Sequence, residues 1–471
     1  MLEFLVAAPS SGSGKTAVTC ALLAALADRG LAPCAFKCGP DYIDPMFHRS
    51  VLGVESHNLD RFLCGDETIF RALYDRCRAG HQAAVTEGVM GYYDGLGGVT
   101  DRASAWDVAR TLRLPVLLVL RPKGSSLTLA AQVRGLCAFR EDSRVRALFL
   151  NDCSPMLFSM LAPMLERETG LPVVGFLPHR EEAAFESRHL GLYTAGEISD
   201  LRGRIGTLAG LLEESGCIDR LIALFGSESG SESDPEKTAD PAVSAVPATP
   251  RADECPPPTA RIAVARDEAF CFVYEETLDA LRMAGTEPVF FSPMRDATLP
   301  ADVGGLYLPG GYPELHAAAL AENEPMRRSV REAVLAGMPT VAECGGFLYL
   351  GQSLQDETGV PHPMAGALPG DGLRGTRLVR FGYTELTAKE PSLLFEPGDR
   401  VPAHEFHYWD CTENGASLTA QKPVTGRTWD CAFTGPSLYA GFPHLYFAGS
   451  PRLAERFAQA AARYAKSARG V

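Results

Sequence analysis

The chain has 471 residues, of which 46% are hydrophobic and 22% charged, proportions typical of a globular protein with two or three domains. No apolar run approaches the ~20 residues that a membrane-spanning helix needs, so we expect no membrane association. The formal net charge of −14 argues against nucleic-acid binding, which needs a basic surface. Anionic ligands would therefore have to be held by local cations, backbone N–H groups or Mg²⁺.

The amino terminus and the cysteines both favour a cytoplasmic protein. Residues 1–6 (MLEFLV) lack a basic segment and run into a Gly/Ser loop, so they predict a first β-strand rather than a signal peptide. The 13 cysteines are scattered and include no Cys-x-x-Cys pair. We therefore expect reduced thiols rather than disulfides or a zinc site.

One segment, residues 226–259, differs from the rest of the chain in composition. It is rich in Ser, Glu, Asp, Pro and Ala and has almost no large apolar side chains. Because such a segment cannot bury enough apolar surface to fold, we interpret it as a flexible linker. It separates an N-terminal domain of residues 1–225 from a C-terminal domain of residues 260–471.

Short apolar runs alternate with helix-like stretches in both halves. The strands predicted in the first half are Leu2–Ala7, Ala32–Lys37, Ala83–Glu87, Val116–Leu120, Arg146–Leu150 and Val173–Phe176, with helices over Lys15–Asp28 and Thr128–Phe139. The strands predicted in the second half are Ile262–Ala265, Glu287–Phe291, Gly305–Leu308 and Thr340–Ala342. This alternation predicts an α/β fold with two domains, each built on a parallel sheet that helices cover on both faces.

A phosphate-binding loop is predicted between the first strand and the first helix. Residues 8–16 read APSSGSGKT and match the pattern G-x-x-x-x-G-K-[ST] except at its first glycine, where Pro9 stands. In such a loop the backbone N–H groups and the helix N-terminus face the phosphates of a nucleotide, while the lysine reaches the outer phosphates and the hydroxyl reaches Mg²⁺. The residues expected to bind the nucleotide are Gly12, Ser13, Gly14, Lys15 and Thr16.

Carboxylates follow two further strands of this half. Glu87 ends the strand AAVTE, and a carboxylate at this edge of a parallel sheet suits a second contact to Mg²⁺. Residues 37–48 (KCGPDYIDPMFH) place a cation, two carboxylates and an imidazole on a loop stiffened by Pro and Gly. Such a loop can hold Mg²⁺ through Asp41 or Asp44 and an anionic substrate through Lys37. The alternative is an ordinary turn with Asp caps.

These motifs, together with NLD at residues 58–60, EGVMGYYDG at residues 87–95 and RHLGL at residues 188–192, resemble the cobyrinic acid a,c-diamide synthase family. In that family the N-terminal domain is similar to dethiobiotin synthetase and activates carboxylates with ATP. The resemblance implies that the phosphate loop binds ATP with Mg²⁺. The metal contacts it implies are Thr16, Asp41 and Glu87. The substrate-binding residues it implies are Lys37, Asp41, Tyr42, Asp44, His48 and Glu87.

Two other positions of the first half bear on the nucleotide site. Asn151, at the end of its strand, is expected to face the adenine of ATP. The segment LRP at residues 120–122 stands where the family leads us to expect a strand that ends in Asp. The set of ligands at that strand end therefore stays open.

The second half contains a cysteine at a strand-to-helix turn. Residues 340–346 (TVAECGG) predict a strand that runs into a tight turn with Cys344 at its tip, where a nucleophile is exposed and the helix N-terminus favours the thiolate. The N–H groups of Gly310 and Gly311, in LYLPGGYPE, are candidates for an oxyanion hole. His444 is the candidate base, because a catalytic Cys and His are usually distant in sequence. The alternative is a buried structural cysteine.

The same motifs resemble a class I glutamine amidotransferase domain of the type fused in cobyrinic and cobyric acid synthases. Further matches are RDEAF at residues 266–270, FSP at 291–293, HEFHY at 404–408 and YFA at 446–448. Many such enzymes place a glutamate two residues after the catalytic histidine, but Tyr446 occupies that position here. The group that orients His444 therefore stays open: Glu405, a backbone carbonyl or none.

The resemblance implies amidation of the a and c carboxylates of cobyrinic acid, a step in cobalamin biosynthesis. Cys344 and His444 are expected to release ammonia from L-glutamine, while ATP activates each carboxylate as an acyl phosphate. The alternatives are the same chemistry on nickel-sirohydrochlorin or hydrogenobyrinic acid, or a P-loop switch protein with a degenerate second domain. The order of the two amidations and the oligomeric state stay open.

Overall fold

The computed structural model describes residues 1–179, 195–226, 256–375 and 377–468. Contacts group the described residues of Met1–Arg61 and Asp66–Thr249 into a first unit, and those of Phe62–Gly65 and Pro250–Val471 into a second. The RHLGL motif and most of the segment predicted to be a linker lie outside the described residues, so the linker stays a prediction.

The first unit is built on one sheet of seven parallel strands, in the order β3-β2-β4-β1-β5-β6-β7. The strands are β1 (Leu2–Ala7), β2 (Pro33–Cys38), β3 (Glu55–Leu59), β4 (Ala83–Glu87), β5 (Val116–Leu120), β6 (Val145–Asn151) and β7 (Val173–Leu177). The helices in this part of the chain are α1 (Lys15–Asp28), α2 (Ile43–Phe47), α3 (Arg61–Cys64), α4 (Glu67–Cys77), α5 (Ala105–Leu112), α6 (Leu127–Phe139), α7 (Pro155–Thr169), α8 (Ala195–Glu214) and α9 (Cys217–Phe225). Of these, α3 groups with the second unit from its second residue onward.

The composition of the central strands explains this sheet. The strand β5, VLLVL, is buried along its whole length, as expected for a parallel strand that helices cover on both faces. Side chains of β1 and β5 share one core cluster with side chains of α1, α8 and α9. Because the strands are parallel, the ends of β1, β2 and β4 meet at one edge of the sheet, and this edge carries the phosphate loop.

The second unit contains more strands than the sequence predicts. They are β8 (Ala260–Ala265), β9 (Thr286–Phe291), β10 (Gly305–Leu308), β11 (Thr340–Glu343), β12 (Ser353–Gln355), β13 (Pro361–Pro363), β14 (Asp371–Arg374), β15 (Arg380–Ala388), β16 (Arg400–His407), β17 (Trp409–Cys411), β18 (Leu418–Gln421), β19 (Thr428–Cys431), β20 (Phe433–Gly435), β21 (Leu438–Gly441) and β22 (His444–Leu445). The helices are α10 (Glu275–Met283), α11 (Ala317–Glu322), α12 (Glu324–Leu335), α13 (Gly345–Leu350) and α14 (Pro451–Ala468).

A central sheet in the order β20-β21-β11-β10-β8-β9 organises this unit, and its strands are parallel except for β20. Alternate residues of β8 pack into different core clusters, so both faces of the sheet are covered. The antiparallel sheet β19-β18-β15-β16-β22 contributes side chains to one of these clusters. A small sheet, β13-β12-β14-β17, completes the unit.

The predicted α/β class is confirmed, and the predicted strands are present with small changes at their ends. The strand predicted at Ala32–Lys37 lies one residue later, at Pro33–Cys38. The strand β3 was not predicted because its sequence, ESHNL, is polar although four of its five residues are buried. No helix of the described residues is long and apolar enough to cross a membrane, and the 12 cysteines among them are all free thiols.

Candidate functional site

The loop between β1 and α1 has the backbone that a phosphate-binding loop requires. Gly12 and Gly14 have φ angles of 75° and 89°, a region that favours glycine. Gly14 also lies against Asn151, because a Cβ added there would stand 2.0 Å from Nδ2 of that side chain. Asn151 donates a 3.0 Å hydrogen bond from Nδ2 to the carbonyl oxygen of Ser13, so it supports the loop backbone in this structure.

The lysine of the loop is buried. Its Nζ atom donates hydrogen bonds to the carbonyl oxygens of Met90, at 2.5 Å, and Ser10, at 3.4 Å. Burial and the neighbouring charge of Lys37 lower the pKa of Lys15 to about 8. The loop therefore holds a cation in place at a position where it is poorly solvated, which suits the binding of an anion.

Four side chains meet where β1, β2 and β4 end. Lys37 Nζ lies 2.6 Å from Asp44 Oδ2 and 2.9 Å from Glu87 Oε1, and the Thr16 hydroxyl donates a 2.7 Å hydrogen bond to the same Glu87 oxygen. Burial disfavours the charged form of Lys37, but the two carboxylates outweigh it and raise its pKa. Burial raises the pKa of Glu87, and Lys37 opposes that shift. The sequence-predicted residues Thr16, Lys37, Asp44 and Glu87 thus form one ionic network.

The other predicted residues of the loop that follows β2 lie beside this network, with Asp41 half-buried and His48 and Tyr42 buried. Asp41 Oδ1 accepts hydrogen bonds from the backbone N–H groups of Ile43, at 2.8 Å, and Asp44, at 3.4 Å, and therefore caps α2. Burial and the charge of Asp44 raise the pKa of Asp41 to about 6. His48 Nδ1 lies 3.0 Å from the Ser56 hydroxyl, and burial lowers its pKa to about 4. Tyr42, just before α2, is also buried.

The strand end at Leu120, where the sequence departs from the expected pattern, carries an ion pair instead of a lone carboxylate. The guanidinium of Arg121 donates a 2.7 Å hydrogen bond from Nε to Asp152 Oδ2. The other oxygen of Asp152 lies 2.7 Å from Nδ1 of His179. An acidic side chain therefore stands at this edge of the sheet, but it follows β6 rather than β5.

In the second unit, Cys344 occupies a strained turn between β11 and α13. Its φ and ψ angles are 47° and −101°, as expected where a strand turns sharply into a helix to expose a nucleophile. Only glycine fits at the next two positions, Gly345 and Gly346. A Cβ at Gly346 would stand 2.0 Å from the carbonyl oxygen of Leu308, and one at Gly345 would stand 2.9 Å from Pro313.

The backbone N–H of Gly345 at the start of α13 lowers the pKa of the Cys344 thiol, as expected, but burial opposes this effect. Burial, followed by the charge of Glu314, raises the pKa of the Cys344 thiol. The helix α13 has only six residues, and the side chain is 7% exposed. A neutral buried thiol needs a base that removes its proton during the reaction.

The two glycines of the PGGYPE segment lie against the histidine and the turn. A Cβ added to Gly310 would stand 2.4 Å from Cε1 of His444, so the imidazole rests on this glycine. The backbone nitrogen of Gly311 would stand 3.2 Å from a Cβ at Gly345. The structure thus brings Gly310 to the candidate base and Gly311 to the turn that carries Cys344.

The carboxylate beside His444 was not predicted from the sequence. Glu343 Oε2 lies 3.7 Å from Nδ1 of His444, and both residues are buried. The sequence candidate Glu405 has its ion-pair contacts elsewhere, at 3.8 Å from Arg380 and 3.9 Å from His407. The signal for Glu343 was its position directly before the nucleophile, at the end of a strand that is buried along its whole length.

Comparison with known proteins covers both units. The family model described as the CobQ/CobB/MinD/ParA nucleotide binding domain matches residues 4–192. The model described as the CobB/CobQ-like glutamine amidotransferase domain matches residues 261–451. The first match contains the phosphate loop and its ionic network, and the second contains Cys344, Gly310 and His444.

Curated relatives match the chain over nearly its whole length. Cobyrinate a,c-diamide synthases of Synechococcus and Salmonella typhimurium are 38% and 37% identical to it, each over 98% of this chain and 98% of the relative. The enzyme of the same name from Clostridium acetobutylicum is 35% identical, over 96% of this chain and 98% of the relative. The chain therefore belongs to the cobyrinate a,c-diamide synthase family.

Proposed function

We propose that this protein uses ATP and L-glutamine to convert the a and c carboxylates of cobyrinate into amides, in cobalamin biosynthesis. The observation that carries the proposal is the match of the whole chain, through both units, to relatives of that name. The geometry of the two candidate sites is consistent with it, since one suits a nucleotide and the other an amide substrate.

The second unit supplies ammonia in this proposal. His444 takes the proton of the Cys344 thiol, and the sulfur attacks the side-chain amide carbon of glutamine to give a tetrahedral oxyanion. The N–H groups near Gly310 and Gly311 stabilise that oxyanion. When the intermediate collapses, the C–N bond breaks, and ammonia leaves with the proton from His444. Water then hydrolyses the thioester to glutamate and restores the thiol.

The first unit activates the carboxylate. An oxygen of the substrate carboxylate attacks the γ-phosphorus of ATP, the bond to the β-phosphate oxygen breaks, and an acyl phosphate and ADP form. Ammonia then attacks the acyl carbon, and phosphate leaves with the amide in place. Lys15 binds the outer phosphates in this proposal, and the main contribution of the loop is to position ATP. Asn151 acts on the bound nucleotide indirectly, because it supports the backbone of the loop.

The residues at the end of β4 fit a magnesium ion. Among the described residues no group of three or more His, Cys, Asp or Glu side chains could hold a metal by itself. Mg²⁺ at a nucleotide usually needs only one or two protein oxygens in addition to phosphate. Glu87 offers a buried oxygen, Oε2, that has no hydrogen-bond partner among the described residues, and its other oxygen accepts a hydrogen bond from Thr16.

We therefore propose Thr16 and Glu87 as the residues that hold Mg²⁺, with Asp41 as a further carboxylate. An ion held there would neutralise phosphate charge during the transfer. We also propose that Lys37 and the buried residues around it, Tyr42, Asp44 and His48, shape the site for the carboxylate of the substrate. Lys37 is the cation among them, and two of its partners already compensate its charge.

Incubation of the protein with ATP, Mg²⁺, glutamine and each macrocycle in turn tests the substrate. Mass spectrometry is expected to show a gain of two amides on cobyrinate and little change on nickel-sirohydrochlorin or hydrogenobyrinic acid. A gain of two amides on another macrocycle would show that the other macrocycle is the substrate. An absence of glutamine hydrolysis and of amidation on all three would favour a P-loop switch protein instead.

A further inference from the structure

The carboxylate at ion-pair distance from the candidate base belongs to Glu343, the residue before the nucleophile. Its Oε2 atom lies 3.7 Å from Nδ1 of His444, and the two side chains are 1% and 3% exposed. We propose that Glu343 is the positioning residue of the glutaminase site. It accepts the Nδ1 proton of His444 and so makes Nε2 the nitrogen that takes the Cys344 proton. This inference rests on the proposed glutaminase activity of the second unit.

Two hydrogen bonds hold the Glu343 carboxylate in place. The hydroxyl of Tyr307, on β10, donates to Oε2 at 3.0 Å. The backbone N–H of Leu445, on β22, donates to Oε1 at 3.1 Å. Because Leu445 follows His444 directly, the second bond ties the backbone of the histidine to the same carboxylate that faces its ring. Glu343 is therefore fixed by groups on two other strands, β10 and β22.

The separation of 3.7 Å is longer than a hydrogen bond, and a movement of under ~1 Å would close it. Hydrogen bonds of catalytic groups are often long in free enzymes and shorten when the substrate binds. The ring of His444 rests on Gly310, where an added Cβ would stand 2.4 Å from Cε1. The contact with Gly310 and the carboxylate of Glu343 thus both orient this imidazole.

The position that usually carries the orienting glutamate is filled by an aromatic side chain. Tyr446, two residues after the histidine, is 1% exposed and packs edge-on against Tyr274, with ring centroids 5.0 Å apart. Glu405 faces Arg380 and His407 instead. A carboxylate before the nucleophile can orient the imidazole as well as one after the histidine, since only its place relative to Nδ1 matters.

Three other ionisable groups of this region, His404, Tyr307 and Cys344, are neutral and therefore do not replace the charge of Glu343. His404 is its register partner on β16, and burial followed by the charge of His444 lowers the pKa of His404 to about 3, so His404 is neutral. Tyr307 faces Glu343 and is neutral, because burial raises its pKa. Cys344 is a neutral thiol at rest. Glu343 is thus the carboxylate that lies at ion-pair distance from Nδ1 of His444.

Glu343→Gln tests the proposal because it keeps the size of the side chain and removes the charge. Its amide nitrogen would favour the histidine tautomer that is protonated on Nε2, which cannot accept the thiol proton. We expect kcat for glutamine hydrolysis to fall about 100-fold with little change in KM. The acid limb of the pH profile should move to lower pH, because the protonated imidazole loses its counter-charge.

Two further variants separate positioning from simple structural support. Glu343→Asp keeps the charge, so the acid limb should return to its wild-type position while kcat recovers only in part. Glu405→Gln removes another buried carboxylate of this region, whose ion-pair contacts are with Arg380 and His407, so kcat for glutamine hydrolysis should fall much less than in Glu343→Gln. Amidation with ammonium chloride in place of glutamine reports whether each variant is folded and active at its ATP site.

The proposal is wrong if Glu343→Gln hydrolyses glutamine at the wild-type rate, or if its kcat falls with no shift of the acid limb. If Glu343→Gln does not fold, wild-type kcat in Glu343→Asp would overturn the proposal, because the shorter side chain withdraws the carboxylate from Nδ1. Failure of the wild-type protein to hydrolyse glutamine is a separate result. It would contradict the proposed function itself.

Discussion

The two sites handle buried charge in opposite ways. At the nucleotide site, Lys37 is buried with Asp44 and Glu87, so full charges are already paired. At the glutaminase site, burial raises the pKa of the Cys344 thiol, and the imidazole of His444 lies 3.7 Å from the carboxylate of Glu343. One site is an ionic network that exists before any ligand binds, whereas the other separates charge only during the reaction.

This difference predicts which property each site loses when it is altered. Removing one partner of a buried ionic network leaves an uncompensated charge in the protein interior, so stability should fall. Removing a neutral nucleophile or shifting a base leaves no such charge, so kcat should fall while the fold persists.

The largest effect is expected for Cys344→Ala. Because the sulfur forms the covalent intermediate, glutamine hydrolysis should fall by at least about 10⁴-fold, and the melting temperature should change little. Amidation with ammonium chloride as nitrogen donor should continue and serves as the internal control. Glutamine hydrolysis at the wild-type rate in this variant would exclude Cys344 as the nucleophile.

Lys37→Met should act mainly on stability. It leaves Asp44 and Glu87 buried without their cation, and breaking a buried pair in this way destabilises by about 3–5 kcal/mol. Urea denaturation measures the change. Lys389→Met removes the cation of the exposed pair with Asp430 and should change the free energy of unfolding by less than about 1 kcal/mol. Similar values for both variants would contradict the ionic network.

Gly310→Ala should act on catalysis through the position of the base. The new Cβ would stand 2.4 Å from Cε1 of His444, so the ring must move. A displacement of about 1 Å can lower the rate about 100-fold, and we expect a loss of that size in kcat for glutamine hydrolysis. Gly435→Ala, on β20, has no heavy atom within 4 Å of the added Cβ and should retain wild-type kcat. Equal kcat in both variants would contradict this placement of His444.

The sequence predicted the elements that carry local signals. The strand β1, the phosphate loop and α1 follow from an apolar run, glycines with positive φ and a lysine at the helix start, all contiguous. The turn at Cys344 follows in the same way from a short apolar strand and two glycines. These features need no knowledge of distant residues, because the chain itself brings them together.

The parts that the sequence did not predict depend on partners far along the chain. The strands β15 and β16 mix apolar and polar residues, and only their pairing with each other and with β18 and β22 decides which face is buried. Glu343 could not be assigned for the same reason. Its role depends on Tyr307, His444 and Leu445, which come from two other strands.

The smallest expected effect concerns the lysine of the phosphate loop. It tests how buried charge is compensated at the nucleotide site. Burial lowers the pKa of Lys15 from 10.5 to about 8, so between these values the unfolded state binds more protons and stability rises with pH. The charged lysine therefore opposes folding below pH 8, unlike Lys37, and Lys15→Met should raise the melting temperature by about 2 °C at pH 7.

The increase in melting temperature caused by Lys15→Met should become smaller as the pH rises from 8 to 10, because the wild-type lysine loses its charge in this range. Differential scanning fluorimetry across this range measures the difference in melting temperature. ATP with Mg²⁺ should stabilise the wild-type protein but not the variant, since ligand stabilisation follows binding to the folded state. A difference that stays constant with pH would mean that Lys15 is compensated as fully as Lys37, and the nucleotide site would then hold no uncompensated cation to attract phosphate.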